Sequence, residues 1–298
     1  MQKVVVRMRG GLGNQLFILS CAYYVKNYCI PDSEIVLDVR EFDTYKVRNF
    51  EILQLINDRN IRLYDKQIDN SIAYEVSRKI YHIAQKFIDS HKKINPILVR
   101  NGFIYSKRSA EGIEACKLKS DLYLYGYFQD ARMASKIKPL LLDIIKDFNT
   151  KYKLSHDVKY IAISIRWGKD YVEQGWPICS REYFEKGIRE IIEEKYQNDK
   201  VCAIVFSDEI QKAKKLNLPC KSVFIEGLSA FQQLSLMRKC SDYVISNSSF
   251  SWWGAFLGCN EDSIVIAPDI WYDTKELTSR TLLNYKNMRI RDMGWKQK

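Results

Sequence analysis

No two of the eight cysteines stand at C-x-x-C spacing, which argues against a zinc ribbon or a thioredoxin-like redox pair. Cys21 and Cys202 lie in apolar runs and read as small core residues. Free thiols at this density fit a reducing compartment, so a cytoplasmic location is expected. No D-x-D occurs, and the three histidines, His82, His91 and His156, do not cluster. A donor site that bridges a divalent metal to a diphosphate wants paired carboxylates, so metal-independent chemistry is expected, with no metal ligands assigned. No apolar run approaches the ~20 residues of a membrane span. Met1 to Arg7 has neither the apolar core nor the cleavage site of a signal peptide and reads as a first strand. There is no repeat and no low-complexity tract.

What remains is an ordinary globular profile of 298 residues, 46% hydrophobic and 28% charged, enough for two domains of about 150 residues. The net charge of +11 implies an anionic partner. No nucleic-acid-binding motif accompanies it, which favours a phosphate-bearing substrate or an anionic membrane surface over nucleic acid.

Val4-Val5-Val6, a glycine turn at Gly10, Gly11 and Gly13, and an apolar helix from Leu16 give a Rossmann-like start. The dinucleotide fingerprint would need glycine where Leu16 stands. Asp38, after the strand Ile35 to Leu37, falls where a ribose-binding acid would lie, so that reading stays open. Residues 71–93 read as a helix with Ile72, Val76, Ile80, Ile83 and Phe87 on one face. A core-packed face with Arg78, Lys79, Lys86, Lys92 and Lys93 in solvent is the expectation, and membrane docking is the alternative. Leu122 to Gln129 is a strand, and Arg132 to Phe148 a helix. The polar stretch 149–157 places the boundary, giving domains 1–152 and 153–298.

The second half alternates strand and helix, ending in an expected last strand at Ile264 to Ala267. The fold class is therefore α/β, two Rossmann-type domains with parallel sheets. Ligands of such sheets bind beyond the strand C-termini. Three polar clusters fall there: Arg166 to Asp170, Ser207-Asp208-Glu209, and Asn247 to Ser249. In the last, Tyr243-Val244-Ile245 leads through serines and Asn247 into the apolar helix Trp252 to Leu257. A strand, polar turn and helix N-terminus can bind an anion through free N–H groups and the helix dipole. An ordinary turn with a tryptophan pair in the core is the plainer reading of the same string.

Several of these strings resemble the α-1,2-fucosyltransferases, glycosyltransferase family 11. Ser246-Asn247-Ser248-Ser249-Phe250-Ser251-Trp252-Trp253-Gly254 is similar to the family's C-terminal signature, and Gly10 to Phe17 to its G-G-L-G-N-Q-L-F. Gly126-Tyr127-Phe128-Gln129, Phe206-Ser207-Asp208 and Cys179-Ser180 with Glu182-Tyr183 also recur there. The resemblance implies a GT-B-like chain that needs no cofactor and uses GDP-β-L-fucose as donor. The reaction implied is inverting transfer to the 2-hydroxyl of a galactoside-type glycan acceptor. Arg166 matches an arginine that holds the donor β-phosphate, where a planar fork suits phosphate. Gly11, Gly13, Lys169, Asn247, Ser248, Ser249 and Phe250 would line the donor, with Asn14 facing the reacting centre. Asp208 is assigned to guanine, with Asp242 as second choice. Asp170 or Glu173 would be the general base. Ser164 stands where the related enzymes carry His, Trp167 where they carry a second Arg, and Lys169 lengthens the gap before Asp170. Roles of the missing His and Arg do not carry over. The implied setting is the cytoplasmic face of a bacterial inner membrane, with peripheral contact and a lipid-linked acceptor. The rival classes are another sugar nucleotide, a dinucleotide-dependent oxidoreductase, and a basic anion-binding module.

Overall fold

The computed structural model describes residues 1–44, 47–69, 72–84, 98–99, 102–106 and 121–295. The chain divides into one unit of Met1–Ile145 with Thr281–Leu283, and another of Lys146–Arg280 with Asn284–Lys298. The division falls just before the polar stretch that marks it in the sequence. The return of Thr281–Leu283 to the first unit, through a bridge from Leu282 to Asp130, has no sequence signal.

The first unit is built on β1 (Lys3–Arg7), β2 (Glu34–Asp38), β3 (Ile61–Leu63), β4 (Phe103–Tyr105) and β5 (Leu122–Tyr125). These form a parallel sheet in the order β3-β2-β1-β5-β4. Its helices are α1 (Leu12–Tyr28), α2 (Glu41–Thr44), α3 (Ile52–Leu55), α4 (Lys66–Asp69), α5 (Ile72–Ala84) and α6 (Ala131–Ile144). Helix α1 is apolar on nearly every side and is buried from Leu12 to Val25 except at Asn14, as an all-round apolar helix must be. Strands β3 and β4 are three residues each, too short for alternation to declare them.

The second unit is built on β6 (Lys159–Ile165), β7 (Val201–Ser207), β8 (Lys221–Phe224), β9 (Asp242–Ile245), β10 (Val265–Pro268) and β11 (Met288–Arg291). They are all parallel, in the order β11-β10-β9-β6-β7-β8. Helices α7 (Lys169–Glu173), α8 (Arg181–Lys195), α9 (Ile210–Ala213), α10 (Ala230–Met237), α11 (Ser249–Gly258) and α12 (Lys275–Ser279) complete it. The expected last strand is therefore followed by another, β11, whose sequence Met288-Arg289-Ile290-Arg291 is half charged. It is an edge strand, and its arginines pair with Glu190 and Glu194 of α8. The tryptophan pair is core, as the plainer reading has it. Trp252 and Trp253 are fully buried, with Trp252 stacked on Phe256 at 4.5 Å between ring centres.

Helix α5 reverses its expected orientation. The apolar face carrying Ile72, Val76, Ile80 and Ile83 is exposed, and Phe87 lies outside the described residues. The helix is held instead by the opposite face. Ser77 and Tyr81 are buried, and Tyr81 stacks on Tyr105 at 3.7 Å in a cluster with Val5, Val36, Phe103 and Tyr123. One aromatic ring over the sheet outweighs the isoleucine stripe in setting which side faces in.

Candidate functional site

In each unit the chain leaves its first strand, builds one side of the sheet, and returns to pair on the other side of that strand. The reversal falls between β1 and β5 in the first unit and between β6 and β9 in the second. A crevice beyond the strand C-termini at such a reversal is where parallel sheets bind ligands. The sequence strings that carry chemistry lie at these two points.

In the first unit the glycine turn follows β1 and Gly126 to Gln129 follows β5. Gly10 takes φ +70°, open to glycine at little cost, and an added Cβ there would meet Asn14 Nδ2 at 2.8 Å. Gly11 instead has ordinary extended backbone at the start of α1, and Gly13 is inside that helix. Gln129 Nε2 donates to Asn14 Oδ1 at 2.8 Å, so the two strings meet across the reversal. Phe128 is buried with φ +49°, a strained conformation for an aromatic residue, immediately before Gln129. Gln15, not singled out in the sequence, is fully buried. It donates to the carbonyls of Gly10 and Asn49 and accepts from the N–H groups of Glu51 and Ile52. Asp38 is closed to a ribose. It is buried and accepts from Arg7, Arg40 and Tyr123, which removes the second mark of a dinucleotide site.

In the second unit the three polar clusters follow three neighbouring strands. Ser164 pairs with Ile245, and Ile165 with Ser207, so Arg166 is flanked by Ser246-Asn247 on one side and Asp208 on the other. Arg166 donates to Asp208 Oδ2 at 2.6 Å and to Asp170 Oδ2, and lies 4.8 Å from the ring centre of Tyr171. Asp208 also accepts from the N–H groups of Trp167 and Gly168 at 2.8 and 2.9 Å. A carboxylate has about four acceptor positions, and three are taken. The guanine role expected of Asp208 needs two more, for N1–H and N2–H, and does not fit. Asp242, the second choice, begins β9 and so lies at the opposite end of the sheet. It is buried and bonded to Lys195, Tyr196 and the N–H of Ile264.

The departures in this stretch have structural explanations. Ser164 Oγ lies 2.7 Å from Ser251 Oγ, which lies 3.3 Å from Ser246 Oγ, a buried hydroxyl chain under the turn. Trp167 is buried, donates from Nε1 to the Cys179 carbonyl at 2.7 Å and packs edge-on to Phe184. Lys169 and Glu173 are exposed on α7.

Helix α11 begins at Ser249, so Ser249, Phe250 and Ser251 are its first turn. The preceding residue, Ser248, makes no side-chain cap. The first N–H groups of any helix lack intrahelical partners, and here they stand beside Arg166's strand. Asn247 is buried. Its Nδ2 donates to the Pro177 carbonyl at 3.0 Å, while its Oδ1 has no donor among the described residues. Tyr171 Oη reaches the Asn247 carbonyl at 3.3 Å. Burial pushes the Tyr171 hydroxyl up in pKa against the opposing charge of Arg166. An arginine, open helix N–H groups, and a buried acceptor at one strand reversal suit an anionic ligand that also offers a donor group.

The family described as Glycosyl transferase family 11 matches residues 3–289. The chain belongs to glycosyltransferase family 11. A relative from Escherichia coli, the O-antigen biosynthesis glycosyltransferase WbnK, is 29% identical over 94% of this chain and 99% of its own length. An alpha-1,2-colitosyltransferase from the same organism is 29% identical over 94% of this chain and 96% of its own. The fucosyltransferase NodZ from Bradyrhizobium is similar in structure at TM-score 0.48 and 12% identity, covering 85% of this chain and 92% of NodZ. The family is one of glycosyltransferases, and this chain is one.

Proposed function

We propose that the chain is an inverting, metal-independent glycosyltransferase. It moves L-fucose from GDP-β-L-fucose to the 2-hydroxyl of a galactoside-type acceptor in α-1,2 linkage. The observation that carries the reading is the convergence of Arg166 and the open N-terminus of α11 at the strand reversal of a family 11 chain. The diphosphate leaves with an extra negative charge. Arg166, Lys169 and the N–H groups of Ser249 and Phe250 would stabilise it, with Ser248 and Asn247 completing the donor wall. Fixed donors aimed at developing charge are worth about 10²–10³ in rate each. Asn14, positioned by Gln129, would face the acceptor, with Gly11 and Gly13 at the donor. Asp170 or Glu173 would take the acceptor proton. The acceptor would be a lipid-linked glycan met by peripheral contact with the cytoplasmic face of the membrane. Among the described residues no helix is long and apolar enough to cross a membrane.

A second reading keeps the reaction and changes the sugar. A relative named for colitose favours a dideoxy sugar on GDP.

The deciding experiment is thermal stability with GDP, UDP, ADP and NAD, each with and without EDTA, followed by turnover of GDP-fucose and GDP-colitose. A nucleotide at about 100 times its Kd adds roughly 2.7 kcal/mol. Stabilisation by GDP alone, indifferent to EDTA, and an α-1,2-linked product by NMR are expected. A shift with UDP or NAD instead would overturn the donor.

A further inference from the structure

We propose that the outward stripe of α5 is a membrane-docking face that takes an anionic phospholipid surface. It deepens, and rests on, the proposed action on a lipid-linked glycan. Ile72, Val76, Ile80 and Ile83 are 82%, 49%, 44% and 62% exposed. On a helical wheel they fall within one narrow arc. Ile68, in the preceding turn α4, is also exposed, at 63%. Scattered exposed apolar residues are ordinary, but four on one face of one helix are a surface with a task.

The stripe is rigidly presented. Ser77 and Tyr81, on the opposite side of the helix, are buried against the sheet, so the helix cannot roll its isoleucines inward without breaking the Tyr81–Tyr105 stack. Exposed Lys79 borders the stripe on the helical wheel, and exposed Lys66 lies in the turn before the helix, on a chain carrying +11. Of the acids in and just before α4 and α5, Asp65 is exposed beside Lys66, Asp69 is buried against Lys3 and Arg62, and Glu75 is half-buried. An apolar face with a lysine at its border, on a basic chain, suits an in-plane helix entering the headgroup layer of an anionic bilayer. A second copy of the chain fits less well. Four side chains fall short of the roughly 20–30 residues a side of a stable interface, and a two-fold pairing would set Lys79 near its own copy.

The test is sedimentation of the full chain with sucrose-loaded vesicles. One set is phosphatidylethanolamine with phosphatidylglycerol, the other phosphatidylcholine alone. The expected result is binding to the anionic set, reduced on the order of tenfold or more by Ile72→Asp with Ile83→Asp. Lys79→Glu should weaken anionic binding and leave phosphatidylcholine unaffected. Melting temperature and transfer to a soluble acceptor should not change in any variant. Wild-type protein that stays in the supernatant would overturn the proposal, as would a double variant that binds as well as wild type. A concentration-dependent dimer abolished by the same double variant would overturn it in favour of self-association. If wild type binds vesicles but transfers no sugar from GDP-fucose or GDP-colitose to a soluble acceptor, the proposed function fails and the docking face stands.

Discussion

Arg166 donates to Asp208 at 2.6 Å, and Asp170 grips the same guanidinium from the other side. The group proposed to hold the donor diphosphate is thus already paired with two carboxylates. The trio carries a net charge of −1, from one cation and two anions, which by itself repels a diphosphate. The two acids are not equivalent. Asp208 keeps two backbone N–H bonds whatever Arg166 does, whereas Asp170 is the more exposed, at 39% against 22% for the side chains. Asp170 is the partner a phosphate would displace.

Asp170→Asn should therefore tighten GDP binding, by roughly 1.5- to 5-fold for a partly solvated pair, measured by titration calorimetry. Weaker binding would show that the acid orders Arg166 instead of competing for it. If Asp170 is also the general base, kcat should fall by about 10²–10⁴ in the same variant, so tighter GDP binding with lost turnover separates the two roles.

Arg166→Ala should lower kcat/KM about 10²–10³-fold and abolish the stabilisation by GDP. The fold should hold, because Asp208 remains bonded to Trp167 and Gly168 and can turn toward water. An unimpaired Arg166→Ala enzyme would remove the arginine from the donor site.

Gly168→Ala probes the same pair without changing its charges. A Cβ there would meet Asp208 Oδ2 at 2.5 Å and Asp170 Oδ1 at 2.7 Å, closer than real contacts allow. Both carboxylates must move, and Arg166 with them. Activity should drop at least about tenfold, as small misplacements cost, with GDP affinity altered. Wild-type kinetics in this variant would mean that the clamp does not shape the site.

Asn14 and Gln129 should behave as one element. Asn14→Ala and Gln129→Ala are each expected to lower kcat, and the double variant to cost less than the sum, with a coupling of about 0.5–3 kcal/mol for bonded neighbours. Additive losses in kcat/KM would show that Gln129 does not position Asn14.

The parallel sheets, the glycine turn and the strand–turn–helix of Asn247 to Phe250 were legible because each is local: an apolar run, a break, a helix start. Strands β3, β4 and β11 were not, being either three residues long or half charged. The orientation of α5 was misread because its apolar period is real while its partner is not. The deciding contact, Tyr81 on Tyr105, joins residues whose pairing no periodicity encodes. Likewise Asp208 looked free for a base in sequence, and only the register of β6 with β7 brings it under Arg166, Trp167 and Gly168. Function-bearing strings could be found in the chain; which of their polar groups are already satisfied is a property of the fold.

Asp38 ties stability to pH. Burial pushes its pKa up, but hydrogen bonds from Arg40 and Tyr123 and the charge of Arg7 outweigh that and leave it below the ordinary value. A carboxylate with a folded pKa below its unfolded value of about 3.9 stabilises the protein above that pH. The contribution is lost as pH falls from there toward the folded pKa. Asp69 is lowered in the same way by Arg62, the Asp65 N–H and Lys3, against its own desolvation. The melting temperature should therefore fall steadily below about pH 4. Asp38→Asn should cost stability at neutral pH, about 3–5 kcal/mol for one partner of a buried ion pair, and flatten the acid slope. Replacing this acid leaves Arg7 and Arg40 facing a neutral amide in a buried site, a penalty absent from a surface pair. If Asp38→Asn melts like wild type at pH 7 and retains the full acid slope, the network is a bystander and the acid sensitivity belongs to other carboxylates.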